Sequence, residues 1–500
     1  MINQYSVQKL NKLSKRCKVI CWGCGYQLSV VLSRYAEEAF MKKLVVLIDK
    51  NPKLQGEERV VGSRKIPIVS PEILGEYKNE KILLVITSDA YETIYGDILK
   101  RCEGMDITIS IYPIYYSQCV NRLIDMFSMI PLKRQLLFGV GSNGSEPHEN
   151  ADEIVQYLFN NYKGSKYKVV YLTLNNTDVP EGVIQISLDD VRKKSSFVAI
   201  LRYAYYFATS KFILFESTSV GKVRKGQKSI YLNHGTIPLK YVADALRQPD
   251  DLDYGVCPGE GCSKFYSSQY NIPEEKQLFM MPPRVRMLFE DKSVLIDKLF
   301  HAEGKQVILW LPTFRKLTRS NNEVRKDSEV DNPIVELFAS QSILELDKCL
   351  NENKQVLILK CHPREKEAFS TTTRVSNIFI TTDELLNSEG LNTHNLMNRA
   401  DALISDYSGV TFEFFLLDRI TGYYIPDFDC YSRGFSVDNP FHYMPGRKMY
   451  ENEELRLFFA DVKDKRDIFA QDRRSIVDEL FGDINPQTGA KELIDYLDII

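Results

Sequence analysis

Residues 400–418, ADALISDYSGVTFEFFLLD, open on a short apolar run, break at a turn of serine and aspartate, and resume as a helix-forming stretch. A run of this length bounded by turn residues reads as a buried strand, and the stretch after it as the helix of a strand–turn–helix unit. The same rhythm extends upstream. QVILWLPTFR from Gln306 and QVLILKCHP from Gln355 are apolar strands that end on polar exits. Before them come RQLLFGVGS from Arg134, YKVVYLTL from Tyr167, KFILFES from Lys211 and SIYLNHG from Ser229, and earlier still KVICWGC from Lys18, KLVVLID from Lys43 and KILLVITS from Lys81. Strands alternating with helical stretches define an α/β chain with parallel sheets covered on both faces. At 500 residues the chain is too long for one ordinary core, and domains are expected over 1–125, a Rossmann-like accessory block, and over 130–295 and 296–500, two α/β blocks facing a cleft.

Composition bounds the function. A net charge of −3 excludes a generally basic nucleic-acid binder, so no nucleic-acid partner is expected. No apolar run approaches the roughly 20 residues that span a bilayer, and the N-terminal stretch lacks the apolar core of a signal peptide, which predicts a cytoplasmic protein. Several of the ten cysteines sit in apolar runs, as small buried hydrophobes of a reducing compartment do, and no disulfide is expected. Of Cys17, Cys21 and Cys24, the last two fall on a strand and its turn, and Asp427 and Asp429 form only a lone Asp-x-Asp pair, so no metal site is expected.

In parallel sheets ligands bind beyond the carboxyl ends of the strands, and the polar residues of this chain collect there. Asn233, His234, Gly235 and Thr236 follow one strand, with Lys240 shortly after; a histidine beside a glycine turn can approach a substrate closely. Arg315 leaves the strand from Gln306, and a planar guanidinium suits a phosphate bidentately. Lys360, His362 and Arg364 together form an anion or acid–base site. Ser405, Asp406, Ser408 and Gly409 are a candidate phosphate cradle, beside the plainer reading of Ser408 as a helix cap, and Glu413 lies one turn on, where it can reach ribose hydroxyls. Near the N-terminus, Gly23 and Gly25 make a G-x-G turn with Leu28 where a dinucleotide fingerprint wants its third glycine, and Asp49 closes the next strand at a ribose-binding distance. That half-fingerprint marks either an accessory nucleotide site or a purely structural turn. The run Lys222, Arg224, Lys225 and Lys228 is either a patch for a polyanion or lipid surface or a solvated connection.

In this order, HGTIPLK, PTFR, the His-Pro pair and DALISDYSGVTFEF resemble the CDP-glycerol glycerophosphotransferase family. The resemblance extends over FGVGSNGSEPHENADEIVQYL, PPRVR and RGFSVDNPFHYMPG, and so covers roughly residues 135–485. It implies a GT-B pair of Rossmann-like domains, acceptor-side then CDP-donor-binding, behind the small N-terminal one. It further implies transfer of a polyol phosphate, from CDP-glycerol or CDP-ribitol, to a lipid-linked polyanionic acceptor in teichoic acid or capsular polymer synthesis. The CDP-polyol is then substrate, no cofactor is required, and the protein works in peripheral contact with the inner face of the cell membrane. By this resemblance His234 is the base or key polar partner at the acceptor hydroxyl and His362 contacts the transferred phosphate. Arg315, Ser405, Asp406 and Ser408 hold donor phosphates and nucleotide. Three positions depart from the family: Gly409 stands where a second serine is usual, Glu413 where an aspartate is usual, and Arg286 where an acidic residue follows the Pro-Arg pair, which predicts a shift in donor or acceptor identity. A GT-B glycosyltransferase using a nucleotide sugar is the alternative.

Overall fold

The computed structural model describes residues 5, 7–88, 91–111, 118–139, 149–162, 167–173, 179–193, 196–216, 222–233, 235–237, 239–242, 246–313, 316–318, 324–326, 332–361 and 375–499. The chain divides into two compact units, Met1–Pro131 with Asp190–Thr209, and Leu132–Asp189 with Ser210–Ile500.

The first unit is built on β1 (Lys18–Trp22), β2 (Leu44–Ile48), β3 (Glu58–Val61), β4 (Arg64–Val69), β5 (Ile82–Ile86) and β6 (Ile107–Ile111), in the order β3-β4-β2-β1-β5-β6. β3 and β4 form an antiparallel hairpin, and the other neighbours run parallel. All five residues of β5 are buried, because helices cover both faces of the sheet and leave no wet side to demand a polar alternate. Helix Phe197–Thr209 returns to this unit and packs on helix Gln118–Phe127, with Phe127 and Tyr205 edge-on at 5.5 Å. Cys17, Cys21 and Cys24 are buried in its apolar core, where burial pushes the Cys24 thiol up to about 12.

The second unit holds two parallel sheets. One comprises β7 (Lys133–Phe138), β8 (Lys168–Thr173), β9 (Ile184–Ser187), β10 (Ser210–Phe215), β11 (Lys228–Tyr231), β12 (Tyr254–Cys257) and β13 (Gln277–Phe279) in the order β13-β12-β11-β10-β7-β8-β9. The other comprises β14 (Gln306–Trp310), β17 (Gln355–Lys360), β18 (Ile378–Thr381), β19 (Ala402–Ser405), β20 (Ile420–Tyr424) and β21 (Arg447–Met449) in the order β18-β17-β14-β19-β20-β21. A small antiparallel hairpin, β15 (Lys316–Thr318) with β16 (Val324–Lys326), lies between β14 and β17 in the chain.

Both sheets reverse direction of growth at one point, between β7 and β10 in the first and between β14 and β19 in the second. Those are the switch points at which parallel sheets open a ligand crevice. One apolar core runs through both sheets, joining Phe215, Tyr231, Tyr266 and Met281 to Tyr407, Phe412, Tyr423 and Leu480. Missing side chains let the backbones close: a Cβ on Gly259 would lie 2.2 Å from the Leu480 carbonyl oxygen, and one on Gly261 1.9 Å from that of Glu479. The late helix Gly489–Tyr496 packs back on helix Glu149–Asn161 of the first of these sheets, and Ala490, Leu493, Ile494, Leu497 and Ile499 complete its core.

Candidate active site

The site is assembled from loops that leave β11, β14 and β19 at their carboxyl ends. His234, Arg315, His362 and Arg364 lie outside the described residues, and the chain on either side of them defines the surroundings. After β11, Asn233 is fully buried with φ of +86°, a left-handed conformation that is uncommon for a residue other than glycine. Its carbonyl accepts from Arg284 Nη1 at 3.0 Å and from Asn150 Nδ2 at 3.2 Å, and its side-chain oxygen accepts from Gly235 N at 2.7 Å.

At the switch point between β14 and β19, Asp406 reaches across to the β14 exit. Its carboxylate accepts from Thr313 N at 2.9 Å and from Thr313 Oγ1 at 2.7 Å. Ser405 Oγ donates to the Leu311 carbonyl at 3.0 Å, so both residues hold the turn that precedes Arg315. Lys240 Nζ lies 3.5 Å from Thr313 Oγ1 and joins the same group from the other sheet. Asp406→Asn keeps one acceptor oxygen where two are used; we expect a stability loss of about 1–3 kcal/mol and, in steady-state assays, a raised KM for the donor with a smaller change in kcat.

The loops after β11 and β19 touch. A Cβ on Gly409 would lie 2.3 Å from the Ile237 carbonyl oxygen, and Thr236 Oγ1 donates to Glu413. Gly409 occupies the cap position of the short helix Val410–Phe415 without any side-chain capping bond, so Ser408, half-buried at the rim, is not its cap. Lys360, at the end of β17, pairs with Asp383 at 2.9 Å.

Glu413, expected at a ribose, is 2% exposed and faces the interior. One oxygen accepts from Arg284 Nη2 at 2.6 Å and the other lies 2.7 Å from His394 Nε2. Burial alone would raise this carboxyl, but Arg284, His394 and Thr236 hold it well below the usual carboxylate range. His394 is fixed by the capping box of Asn392 and Asn395 that starts helix Thr393–Arg399. At the other switch point Glu216 ends β10 and accepts from Asn150 N at 2.9 Å and Ala151 N at 3.3 Å, the free amides that begin helix Glu149–Asn161. Burial and then Glu149 push Glu216 up to about 8, while Glu413 makes the direct ion pair with Arg284 and Glu149 also favours its charge.

Sequence reading did not single out Asn150, Tyr266 or Glu216, noted Arg284 only within PPRVR, and read His394 as a surface or structural histidine. The one local signal was the Pro282–Pro283 pair, which fixes the backbone entering the turn Pro283–Phe289 that carries Arg284. Arg286, read as a mark of altered substrate, instead forks onto Glu153, with Nη2 at 2.8 Å from Oε1, and so fastens that turn to helix Glu149–Asn161. In the basic run, Asp253 holds Lys222 at 2.8 Å and Lys228 at 3.2 Å, while Lys225 is exposed.

In the first unit, Gly23 has φ of +107° and a Cβ there would lie 2.8 Å from that of Ser88. Asp49 accepts from Cys24 N at 2.8 Å and from Asn51 N at 2.9 Å. Gly23 is therefore required by close approach to β5's exit, and Asp49 ties down the turn around Cys24. A Cβ on Gly25 would meet nothing within 4 Å.

Two Rossmann-like parallel sheets with their strand exits meeting at a shared edge make this a GT-B-like fold. A solved structure of the wall teichoic acid polymerase TagF superposes with a TM-score of 0.57 at 19% identity, covering 82% of this chain and 97% of that one. The description CDP-Glycerol:Poly(glycerophosphate) glycerophosphotransferase belongs to the family model that matches residues 123–496, and the chain is a member of that enzyme family. It is 25% identical over 279 residues to the teichoic acid glycerol-phosphate primase of Bacillus subtilis, covering 52% of this chain and 67% of that protein. It is 24% identical over 344 residues to the teichoic acid poly(glycerol phosphate) polymerase of Bacillus spizizenii, covering 63% of this chain and 80% of that protein. Among the described residues no helix is long and apolar enough to cross a membrane.

Proposed function

We propose that the protein moves glycerol phosphate or ribitol phosphate from its CDP ester to a hydroxyl of a lipid-linked teichoic acid or other phosphate-containing envelope polymer. The observation that carries this reading is the meeting of the histidine-bearing loop after β11 with the serine-aspartate turn after β19, through Gly409 against Ile237 and Thr236 on Glu413. Phosphoryl transfer asks chiefly for such positioning and for charge stabilisation.

The acceptor oxygen attacks the phosphorus that bears the polyol, the bond to the bridging oxygen breaks, and CMP leaves with the electron pair. His234 takes the acceptor's proton, and His362 and Arg315 stabilise charge on the transferred phosphate. Ser408 and Gly409 line the donor side, Arg364 adds charge for the donor phosphates, and Lys240 with Asp406 and Ser405 keeps the turn before Arg315 in place. Lys225, with its neighbours in the basic run, draws the polyanionic acceptor at the inner membrane face. The first unit serves as a structural accessory domain, supported by the mutual engagement of Asp49 and the Gly23–Gly25 turn.

The test is nucleotide release by the full chain given CDP-glycerol, CDP-ribitol or a UDP-sugar with a lipid-linked acceptor analogue. The expected result is acceptor-dependent CMP from one CDP-polyol, abolished in His234→Ala and His362→Ala. UDP from a UDP-sugar with both CDP-polyols inert would replace the reading with that of a glycosyltransferase.

A further inference from the structure

A cavity of about 290 Å³ lies between the segment 441–448 and residues 469–479, and shares no residue with the loops after β11, β14 and β19. Its volume is at the lower end of the roughly 300–1,000 Å³ of small-molecule sites, which limits it to a small ligand. Lys448 of β21 enters it half-buried, with its amine 5.4 Å from the centre of the Phe469 ring and donating to the Met444 carbonyl at 2.6 Å. Among the described residues no carboxylate pairs with that amine. Burial pulls it below the ordinary lysine value, and Asp472 opposes the shift. On the other wall Asp472 and Glu479 stand two turns apart on one face of helix Ala470–Phe481. Glu479 is held by the Tyr443 hydroxyl, which donates to it at 3.0 Å, and by His442 Nε2 at 2.9 Å. Asp472 is exposed and pairs with no cation among the described residues. Phe441, also in the wall, keeps an exposed ring stacked on Phe428 at 4.6 Å.

A half-buried amine with only a carbonyl and an aromatic face for company has given up hydration without gaining a counter-ion, and an anion brought to it restores the balance. A plain anion is opposed in this cavity by two carboxylates, and a plain cation by the amine. A molecule that carries both charges is favoured at both ends, with its short carbon spacer against the rings of Phe441 and Phe469. We propose that this cavity is a binding site for a small primary-ammonium zwitterion, an aminoalkyl phosphate or an amino acid, whose anionic group meets Lys448 and whose ammonium group meets Asp472 and Glu479. Phosphate and carboxylate ends present negative charge to Lys448 alike, so the two sources share one mode of recognition. The site is separate from the transfer chemistry and stands or falls without it.

The test is a saturation-transfer NMR titration of the full chain with O-phosphoethanolamine and with β-alanine, alongside ethanolamine and ethyl phosphate as the separated charges. Wild type is compared with Lys448→Met and Asp472→Asn. Methionine keeps an unbranched stem beside the Phe469 ring and Asp472 is on the surface, so both variants are expected to fold, and unfolding midpoints on the same samples check this. The expected result is that at least one zwitterion binds roughly ten-fold or more tighter than either separated charge and loses roughly ten-fold in each variant, the size of one hydrogen bond to a charged group. O-Phosphoethanolamine ahead of β-alanine assigns the site to an aminoalkyl phosphate, the reverse order to an amino acid, and equal affinities to both. No binding of either zwitterion at roughly 20 mM, where a millimolar site is nearly saturated, would overturn the proposal. Ethyl phosphate or ethanolamine binding as tightly as the zwitterions would overturn it too. Affinity unchanged in both variants would put the ligand elsewhere, and loss in only one of them would leave a site for a plain anion or a plain cation; either result ends the proposal.

Discussion

Glu413→Gln is expected to destabilise the second unit by about 3–5 kcal/mol at neutral pH, because it leaves Arg284 buried without a counter-charge. The pair is not a surplus ornament of the core. Arg284 is 5% exposed and Glu413 2%, so each has given up nearly all of its hydration. Glu413 holds Arg284 at 2.6 Å, whereas burial pushes Glu216 up to about 8. The pH dependence has a fixed sign. The carboxyl of Glu413 is depressed in the folded chain, so the stability it contributes is complete above its unfolded value of about 4.3 and is lost as the pH falls below that value. Urea unfolding at a series of pH values should therefore show wild type and Glu413→Gln furthest apart near neutrality and converging on acidification. A constant gap down to strongly acidic pH would mean that the carboxylate is not the source.

Gly409→Ser should abolish most activity even though it restores the residue usual in the family. Gly409 has an ordinary φ of −66°, so glycine is not there for conformational freedom. It is there for space: a Cβ would stand 2.3 Å from the Ile237 carbonyl oxygen, a backbone atom that no rotamer change can move aside. Serine or alanine must push apart the two loops whose contact builds the site. A displacement of that order costs on the order of 100-fold in rate and about 1–3 kcal/mol in stability. The measurement is kcat/KM for CMP release beside the unfolding midpoint. Wild-type activity in Gly409→Ser would show that the β11 loop yields easily and that its closeness to the β19 turn is incidental.

The α/β class, the GT-B-like pairing and the family were legible in the sequence because each depends on local signals. Apolar runs such as ILLVI in β5 and VILW in β14 announce strands covered on both faces, and the motifs fall at their exits in fixed order. The partners of those motifs were not legible. Glu413 was read from its position one turn beyond Ser408, which placed it near a nucleotide; the fold rolls the short helix so that this residue faces Arg284, from a turn far earlier in the chain, and His394. Asp406 looked like a direct phosphate or nucleotide contact, but its neighbour across the sheet is the Thr313 turn. Arg286 was read as a change of specificity, and nothing in the sequence pointed to its pairing with Glu153. In each case the residue type was informative and its direction was not, since direction comes from strand order and from contacts between distant segments.

The late helix that closes the core of the 133–279 sheet has a consequence for how the protein is made. Leu493, Ile494 and Ile499 pack among Leu136, Ile154 and Leu158, so that core lacks part of its wall until residues 489–499 have been translated. At the usual pace of synthesis roughly 10–40 s separate the emergence of β13 from that of its missing wall. During that interval the nascent chain displays an open apolar face on an otherwise finished sheet, a natural client surface for ribosome-associated chaperones. The folding of the 133–279 sheet is thereby tied to completion of the 306–449 one, and a chain stalled before residue 489 yields a sticky intermediate rather than a half-enzyme.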